Sequence, residues 1–232
     1  MAVGLLAGGA LQSATGFGFA LIASPVLVGA YGGERGISAL TLISVAVNLL
    51  TLATEGRRPA GDWRLAALLV AWFLPGAVAG ALVLRVASQE LLEVLVAASV
   101  LGAIAARLLP ASREVRLPAA PAGLLAGVSG MSTGVSGPPL LLHLLHTGSP
   151  PLRTRDTLAT IFLATAILGL AVLAVVGALA LPGDLGLLLA ATAAGHVLGR
   201  RVFGSMGPVG YERVVLATMA ASALATLVLL VT

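Results

Sequence analysis

The chain has 232 residues, of which 59% are hydrophobic and only 9% are charged, and its mean hydropathy is +1.08. Soluble domains are typically about one quarter charged, so this composition excludes a soluble globular protein and predicts an integral membrane protein. The formal net charge is +4 and every basic residue is an arginine lying between apolar runs, which indicates membrane topology rather than a nucleic-acid-binding surface.

The first apolar segment, residues 2–31, is interrupted in its middle by hydroxyls and glycines, in the run Gln12-Ser-Ala-Thr-Gly-Phe-Gly-Phe. Each arm has about 11 residues and reaches only half of a bilayer core of about 30 Å. The segment is therefore either one broken crossing or a re-entrant hairpin that enters and leaves on the same side. No positively charged region precedes Val3, so we expect residues 1–31 to belong to the mature protein.

Six uninterrupted apolar runs follow, three before and three after a second interrupted segment. A bilayer core needs about 20 helical residues, so each run is predicted to be a transmembrane helix. The predicted spans are residues 37–53, 65–84, 91–109, 157–181, 185–202 and 214–231. The second interrupted segment, residues 120–147, contains Met131-Ser-Thr-Gly-Val-Ser-Gly-Pro-Pro.

The arginines discriminate between the two interpretations of the interrupted segments. If both segments cross once, the arginines divide six against seven between the two sides of the membrane. If both are hairpins, the division becomes eleven against two, which the positive-inside rule strongly favours. The hairpin topology places both termini outside and puts loops 54–64, 107–119, 148–156 and 203–213 in the cytoplasm.

In this topology the chain is an all-α polytopic membrane protein built from two inverted repeats, residues 1–112 and 113–232. Each repeat is a re-entrant broken-helix hairpin followed by three transmembrane helices, an odd number, so the second repeat is inverted. Gly76-xxx-Gly80 matches Gly195-xxx-Gly199 between the repeats, as Gly61-Asp62 matches Gly183-Asp184. Inverted repeats with broken helices are typical of transporters. The Gly-xxx-Gly faces pack either within the chain or in a homodimer.

We name the two glycine- and hydroxyl-rich interruptions, residues 12–19 and 131–139, the two patches. One patch opens each half of the chain, and the patches resemble motifs of the TauE/SafE family of membrane permeases. The resemblance is carried by Thr15-Gly-Phe-Gly with the later Ser24-Pro, and by Ser136-Gly-Pro-Pro. It covers the whole chain because both halves show it. The resemblance implies a secondary transporter of the cell (inner) membrane for sulfite or organosulfonate anions. Because members of the family mostly export such anions, an exporter is expected. Family members usually carry a glycine where this chain has Ser136.

The two patches form the candidate substrate site. The second arm of each segment starts there, and a helix N-terminus offers free N–H groups and about half a positive charge to an anion. Glycines let an anion approach the backbone, and neighbouring side chains add donors; alternatively, small polar residues only pack helices closely. Asn48 lies in a polar stripe that we expect to face the patches. The predicted substrate-binding residues are Gln12, Ser13, Thr15, Gly16, Phe17, Gly18, Asn48, Ser132, Thr133, Gly134, Ser136 and Gly137.

Three histidines, His143, His146 and His196, are candidates for gating or proton transfer. The first two are i, i+3 neighbours near the cytoplasmic end of the second segment, where they could guide an anion or be inert. No acidic residue lies in the middle of a predicted span, and the chain has no cysteine. We therefore predict no carboxylate relay, no metal site and no cofactor. The expected partners are a small anion and the lipid bilayer.

An enzyme is the alternative from another class. Gly134-Val-Ser-Gly137 and Gly195-His-x-x-Gly199 resemble motifs of rhomboid-type intramembrane serine proteases, with Ser136 and His196 as a catalytic dyad. The next glycine after the histidine motif, Gly204, is out of register, and a protease needs no second copy of its motif. A non-transporting scaffold is a third interpretation, but unsatisfied backbone in lipid argues against it.

Overall fold

The computed structural model describes residues 1–54, 59–108, 117–145 and 151–203, without the side chains of residues 14, 15, 100, 103–108, 145, 151, 152, 202 and 203. The described residues form helices connected by short turns. The helices are α1 (Ala2–Thr15), α2 (Phe19–Tyr31), α3 (Gly33–Ala53), α4 (Trp63–Val86), α5 (Gln89–Leu108), α6 (Ala119–Thr133), α7 (Gly137–Leu145), α8 (Pro151–Val176) and α9 (Leu185–Phe203). The predicted span 214–231 and His146 lie outside the described residues.

Helices occupy the other five predicted spans, and α8 differs most from its predicted bounds. It covers Pro151–Val176 rather than 157–181. The helix begins earlier because its charged first turn is engaged by contacts with residues 59–62, which hydropathy alone does not register. It ends earlier because the chain turns at Gly177, and the N–H groups of the next two residues both bond to the Leu173 carbonyl, at 2.8 and 3.1 Å.

The apolar character of the helices fits a membrane protein. Among the described residues, α3, α4 and the Arg153–Val176 part of α8 are long and apolar enough to cross a bilayer. α1 and α2 are apolar but only 14 and 13 residues long, or about 20 Å at 1.5 Å per residue. Large apolar side chains are exposed along one side of α4, namely Leu68, Trp72, Leu74, Val78 and Leu82. An exposed apolar face of this extent is expected to contact lipid.

Both interrupted segments fold back on themselves. Gly8 of α1 packs against the ring of Phe19, and Gly4 packs against Val26 further along α2. In the second segment, Nδ1 of His143 near the end of α7 lies 2.8 Å from the carbonyl oxygen of Leu117, just before α6. The two arms of each segment therefore run antiparallel.

α3 and α8 form an antiparallel pair at the centre of the described structure. Gly169 of α8 packs against Thr41 of α3, and Ser38 near the start of α3 reaches the turn after α8. The core around this pair is apolar and includes Ile37, Leu40, Ile43, Ile161 and Leu173, all 1% exposed or less.

One end of the α3–α8 pair is closed by a group of contacts that we name the first clasp. It consists of residues 60, 62, 153, 156 and 157. The Ala60 N–H donates to Oδ2 of Asp156 at 2.7 Å, and the Asp62 N–H donates to Oγ1 of Thr157 at 2.9 Å. Nη2 of Arg153 lies 3.1 Å from Oδ2 of Asp62. The chain leading from α3 into α4 is thereby joined to the start of α8.

The second clasp lies at the opposite end of the same pair. It consists of residues 31, 38, 178, 180 and 184. Oγ of Ser38 donates to the Ala178 carbonyl at 3.3 Å and accepts from the Ala180 N–H at 3.1 Å. The Tyr31 hydroxyl donates to Oδ2 of Asp184. Here the turn after α8 is joined to α2 and the start of α3.

The two Gly-xxx-Gly faces pack within the chain. Glycines 76 and 80 place α4 against the backbone of α6, and glycines 195 and 199 place α9 against α1 in the same way. The paired positions are Gly76 with Leu124, Gly80 with Val128, Gly195 with Leu6 and Gly199 with Ala10. Packing within the chain is the first of the two alternatives that the sequence left open. A homodimer through these faces would need them free.

The close approach at Gly195 predicts a strong destabilisation by Gly195→Ala. An added Cβ would collide with the Leu6 carbonyl oxygen, and neither helix backbone can move without disturbing the core. We expect a cost of about 1–3 kcal/mol, as for other overpacked interiors, measured as a lower melting temperature in detergent. Gly186→Ala on the same helix is the matched control, since nothing lies within 4 Å of its added Cβ. Equal melting temperatures for the two variants would contradict this packing.

Candidate functional site

Each interruption is a break between two helices, and the two breaks have the same backbone geometry. α1 ends at Thr15 and α6 ends at Thr133, and the next residue is in each case a glycine in the left-handed conformation, with φ +70° at Gly16 and +77° at Gly134. Each glycine N–H bonds back to a carbonyl of its own helix, four residues earlier. Left-handed glycine is a common helix terminator because it carries no Cβ to clash. The glycines of the patches therefore set the points at which the chain turns.

The two breaks meet. Gly137, the first residue of α7, packs so closely on the ring of Phe17 that an added Cβ would lie 2.8 Å from Cε2 of that ring. The Ser24 hydroxyl of α2 donates to the Thr133 carbonyl at the end of α6. These contacts connect segments more than 100 residues apart in sequence.

A cavity of about 60 Å³ lies between the breaks and the central helices. A single water needs about 10–15 Å³ on this scale, so the space suits a few waters or one small ion. The two breaks, α3, α8 and α4 all contribute to its wall. The lining includes Gln12, Phe17, Gly18, Thr41, Ser44, Asn48, Phe73, Gly134, Ser136, Gly137, Phe162 and Thr165.

Seven of the twelve predicted substrate-binding residues line this cavity. They are Gln12, Phe17, Gly18, Asn48, Gly134, Ser136 and Gly137. Gly16 instead packs against Arg155 of α8. The side chain of Thr15 lies outside the described residues.

The three remaining predicted residues direct their hydroxyls to their own helices. Ser13 Oγ donates to the Ala10 carbonyl at 2.9 Å, Ser132 Oγ to Val128 at 2.8 Å and Thr133 Oγ1 to Ser129 at 2.7 Å. Such bonds within a helix satisfy the hydroxyl hydrogen and leave none to donate to a ligand. For these residues the packing interpretation of the small polar side chains applies.

Gln12 fastens the first break to α3. Its Nε2 donates to the Gly16 carbonyl at 3.1 Å and to Oδ1 of Asn48 at 2.8 Å. Its Oε1 accepts from the Phe19 N–H, the first residue of α2, at 3.2 Å. Both amide hydrogens and one oxygen lone pair are thus used within the protein. Gln12 holds the break in shape and has no hydrogen left to donate to a ligand.

Among the hydroxyls that line the cavity, two differ from the rest. Thr41 Oγ1 donates to the Ile37 carbonyl at 2.7 Å and Thr165 Oγ1 to Phe162 at 3.3 Å. The hydroxyls of Ser44 and Ser136 make no hydrogen bond within the described part of the chain. These two groups, one on α3 and one at the second break, therefore line the cavity with hydroxyl hydrogens that the described residues do not use.

Arg155 is the residue at the breaks that the sequence did not single out. Its Nη2 donates to the Ser13 carbonyl at the end of α1 at 2.6 Å, and its Cγ lies against Gly16. The arginine count placed it in a loop, although Arg155 precedes the helix after the second interrupted segment as Arg35 precedes the helix after the first. Phe73 and Phe162 also line the cavity, and single aromatics in apolar helices give no signal that distinguishes them from core residues.

The described histidines lie away from the cavity wall. His143 contacts the Leu117 carbonyl, and Nε2 of the buried His196 lies 3.3 Å from Oγ1 of Thr54 at the end of α3. Ser136 lines the cavity, and the hydrogen bonds of the described residues include none between it and His196. The geometry therefore gives no support to the Ser136–His196 dyad.

Comparison with known proteins identifies relatives over nearly the whole chain. A family model described as "Sulfite exporter TauE/SafE" matches residues 1–226. The chain is 32% identical over 171 residues to the "Probable sulfite/organosulfonate exporter TauE" of Cupriavidus necator, covering 68% of this chain and 65% of that relative. The match thus spans slightly less than two thirds of the relative's length. No solved structure matches the chain significantly.

Proposed function

The chain belongs to the TauE/SafE family, and from this premise we propose that it is a secondary transporter that exports small anions of the sulfite or organosulfonate class. The observation that carries the proposal is the small cavity between two helix breaks inside an otherwise apolar bundle. A relative at 32% identity bears the name of a sulfite/organosulfonate exporter. The family contains exporters rather than enzymes, so the protease alternative has no support.

The proposed anion site uses the second break and α3. Ser136 and Ser44 donate from their hydroxyls, and the start of α7 adds the positive end of a helix. Pro138 and Pro139 lie in the first turn of α7, where a missing N–H costs least. Gln12 and Asn48, which the sequence predicted as ligands, line the cavity and are joined to each other by a hydrogen bond of 2.8 Å that stabilises the first break. The rings of Phe17, Phe73 and Phe162 keep the cavity mostly apolar, which strengthens every hydrogen bond made inside it.

Inverted repeats are part of the proposal, and matched contacts support them. Gly195 meets Leu6 as Gly76 meets Leu124, and Gly199 meets Ala10 as Gly80 meets Val128. The residues of α1 and α6 differ by 118 positions in both comparisons, and those of α4 and α9 by 119. In this proposal α1–α2 and α6–α7 are re-entrant hairpins, because arms of about 20 Å are too short to cross. The arginine distribution then places both termini outside.

Transport through a closed bundle requires the two ends of the cavity to open in turn. The first clasp and the second clasp close opposite ends of the α3–α8 pair, and each joins parts of both proposed repeats. We assign the first clasp to the cytoplasmic side, because the two loops that form it, 54–64 and 148–156, carry five of the thirteen arginines. Rocking of one repeat against the other would break one clasp while the other persists.

The test of the proposed function is flux in proteoliposomes. Purified protein is reconstituted, and the movement of labelled sulfite, a sulfonate and sulfate is measured with and without a pH gradient. We expect sulfite or sulfonate flux above that of protein-free vesicles. Absence of flux for every anion under every gradient would overturn the proposal.

Within that assay, Ser136→Ala is expected to reduce flux about ten-fold or more, since a lost hydrogen bond to a charged group costs about 1.5–3 kcal/mol. Ser132→Ala is the matched control from the same motif, because its hydroxyl bonds to the Val128 carbonyl and lies outside the cavity wall. We expect Ser132→Ala to retain flux within about two-fold, given the small net value of such a bond. A larger loss in Ser132→Ala than in Ser136→Ala would contradict the assignment of the donors.

A further inference from the structure

We propose that Arg155 is a positioning residue that makes the cavity selective for anions by masking the negative end of α1, with Ser24 serving the same purpose at the end of α6. The proposal rests on the transporter function and explains how the site tolerates two features that oppose it. It concerns residues that do not line the cavity and that act through the helix ends beside it.

The features to be explained are the two helix C-termini. α1 and α6 both end at the breaks beside the cavity. A helix C-terminus presents unpaired carbonyl oxygens and about half a negative charge. An anion between the breaks would meet these carbonyl ends as well as the favourable N-termini of α2 and α7. Unless the carbonyl ends are neutralised, the two contributions largely cancel.

At the first break the carbonyl end is covered by a cation and an amide. Arg155 donates from Nη2 to the Ser13 carbonyl at 2.6 Å, and Gln12 donates from Nε2 to the Gly16 carbonyl at 3.1 Å. Arg155 is the fifth residue of α8, near the positive end of its own helix, where a positive charge gains nothing from the dipole of α8. It contacts the Ser13 carbonyl of α1 and packs against Gly16.

At the second break, the group that satisfies the carbonyl end of α6 carries no charge. The Ser24 hydroxyl donates to the Thr133 carbonyl, and the neighbours of Gly134 are Leu40, Ile37 and Ser24. Arg35, the counterpart of Arg155 in the other repeat, is exposed. Among the described residues, a guanidinium therefore covers the helix end at the first break and not the one at the second. In the proposed topology this is the end nearer the first clasp, where an exported anion would enter.

The proposal is tested with Arg155→Gln, Arg155→Lys and the matched control Arg35→Gln. Sulfite is the probe, as a dianion at alkaline pH and as the hydrogen sulfite monoanion at mildly acidic pH. For Arg155→Gln we expect KM for the dianion to rise about three- to ten-fold, which corresponds to the energetic effect of one charge at a helix end. The rise in KM for the monoanion should be smaller. We expect kcat to change little, Arg155→Lys to restore most of the KM, and Arg35→Gln to match the wild type.

The dependence on substrate charge separates selectivity from a purely structural role. Loss of packing at Gly16 would raise KM equally for both forms of sulfite, and that result, or an unchanged KM in folded Arg155→Gln, would overturn the proposal. If Arg155→Gln does not fold, Ser24→Ala provides the test, since it removes one hydroxyl and keeps the fold's volume. We expect Ser24→Ala to raise KM about two- to three-fold, again more for the dianion; an unchanged KM would overturn the proposal. Failure of the proposed function is distinct, because the wild type itself would show no flux.

Discussion

Replacing Gly134 with alanine is expected to abolish transport while leaving the helices in place. Gly134 has φ +77°, and the left-handed conformation costs a residue with a Cβ about 1–2 kcal/mol. An added Cβ would also collide with Cδ2 of Leu40 and lie 3.3 Å from Cδ1 of Ile37. Both side chains are at most 1% exposed, and Leu40 itself lines the cavity. The substitution therefore either shifts the break, which carries Ser136 out of register with α3, or drives the Leu40 side chain into the cavity.

The measurement is flux together with far-ultraviolet circular dichroism in the same preparation. Gly102→Ala is the control, since its added Cβ meets nothing within 4 Å, and it should transport normally. Gly16→Ala should also impair flux, because its added Cβ would lie 2.6 Å from Cγ and 3.0 Å from the carbonyl oxygen of Arg155. Normal flux in Gly134→Ala would mean that the geometry of the second break is not part of the site.

The positions of the two breaks could be predicted from the sequence because they depend on local chemistry. Clustered glycines and hydroxyls inside an apolar segment favour a helix break, and α1 and α6 end at glycines of these clusters. The existence of the other helices followed from the length of the apolar runs in the same way. The division into two inverted repeats stays a prediction that the matched glycine contacts support.

The direction of each polar side chain could not be predicted in this way. Ser132 and Ser136 belong to one motif, but the first lies in the last turn of α6 and the second lies beyond the break. The same hydroxyl chemistry therefore bonds to a helix carbonyl in one case and faces a cavity in the other. Which outcome occurs depends on the rotation of the helix against α3 and α4, which no local pattern encodes.

Arg155 shows how an error in a helix boundary conceals a residue that contacts the first break. Hydropathy placed the start of the helix at residue 157, so arginine at 155 belonged to a loop. The contacts of Asp156 and Thr157 with residues 60 and 62 extend α8 to Pro151. Within the extended helix, Arg155 is held against Gly16 and the end of α1. These tertiary contacts are made by residues 95 to 142 positions apart and leave no periodic signal.

Cross-linking either clasp is expected to stop transport reversibly. The chain contains no cysteine, so pairs can be introduced without removing native thiols. Asp62→Cys with Arg153→Cys tests the first clasp, and Tyr31→Cys with Asp184→Cys tests the second. A reducible bifunctional thiol reagent whose span matches the replaced side chains should reduce flux to the level of empty vesicles, and reduction should restore it.

The control pair is Glu90→Cys with Val94→Cys. Both side chains are exposed and lie one turn apart on α5, and a link within one helix restrains no movement between helices. It should leave flux unchanged, as should treatment of each single-cysteine variant.

The pattern of inhibition also tests the geometry. The two clasps lie at opposite ends of α3 and α8, so a transporter that opens one end at a time needs both to be breakable. Blocking one end suffices to stop net flux, because the anion can then only return to the side from which it came. Binding of sulfite should survive either single cross-link, since each leaves one end free to open. Full flux with a quantitatively cross-linked clasp would show that the anion passes while these contacts stay intact. That result would contradict the proposal that one repeat rocks against the other.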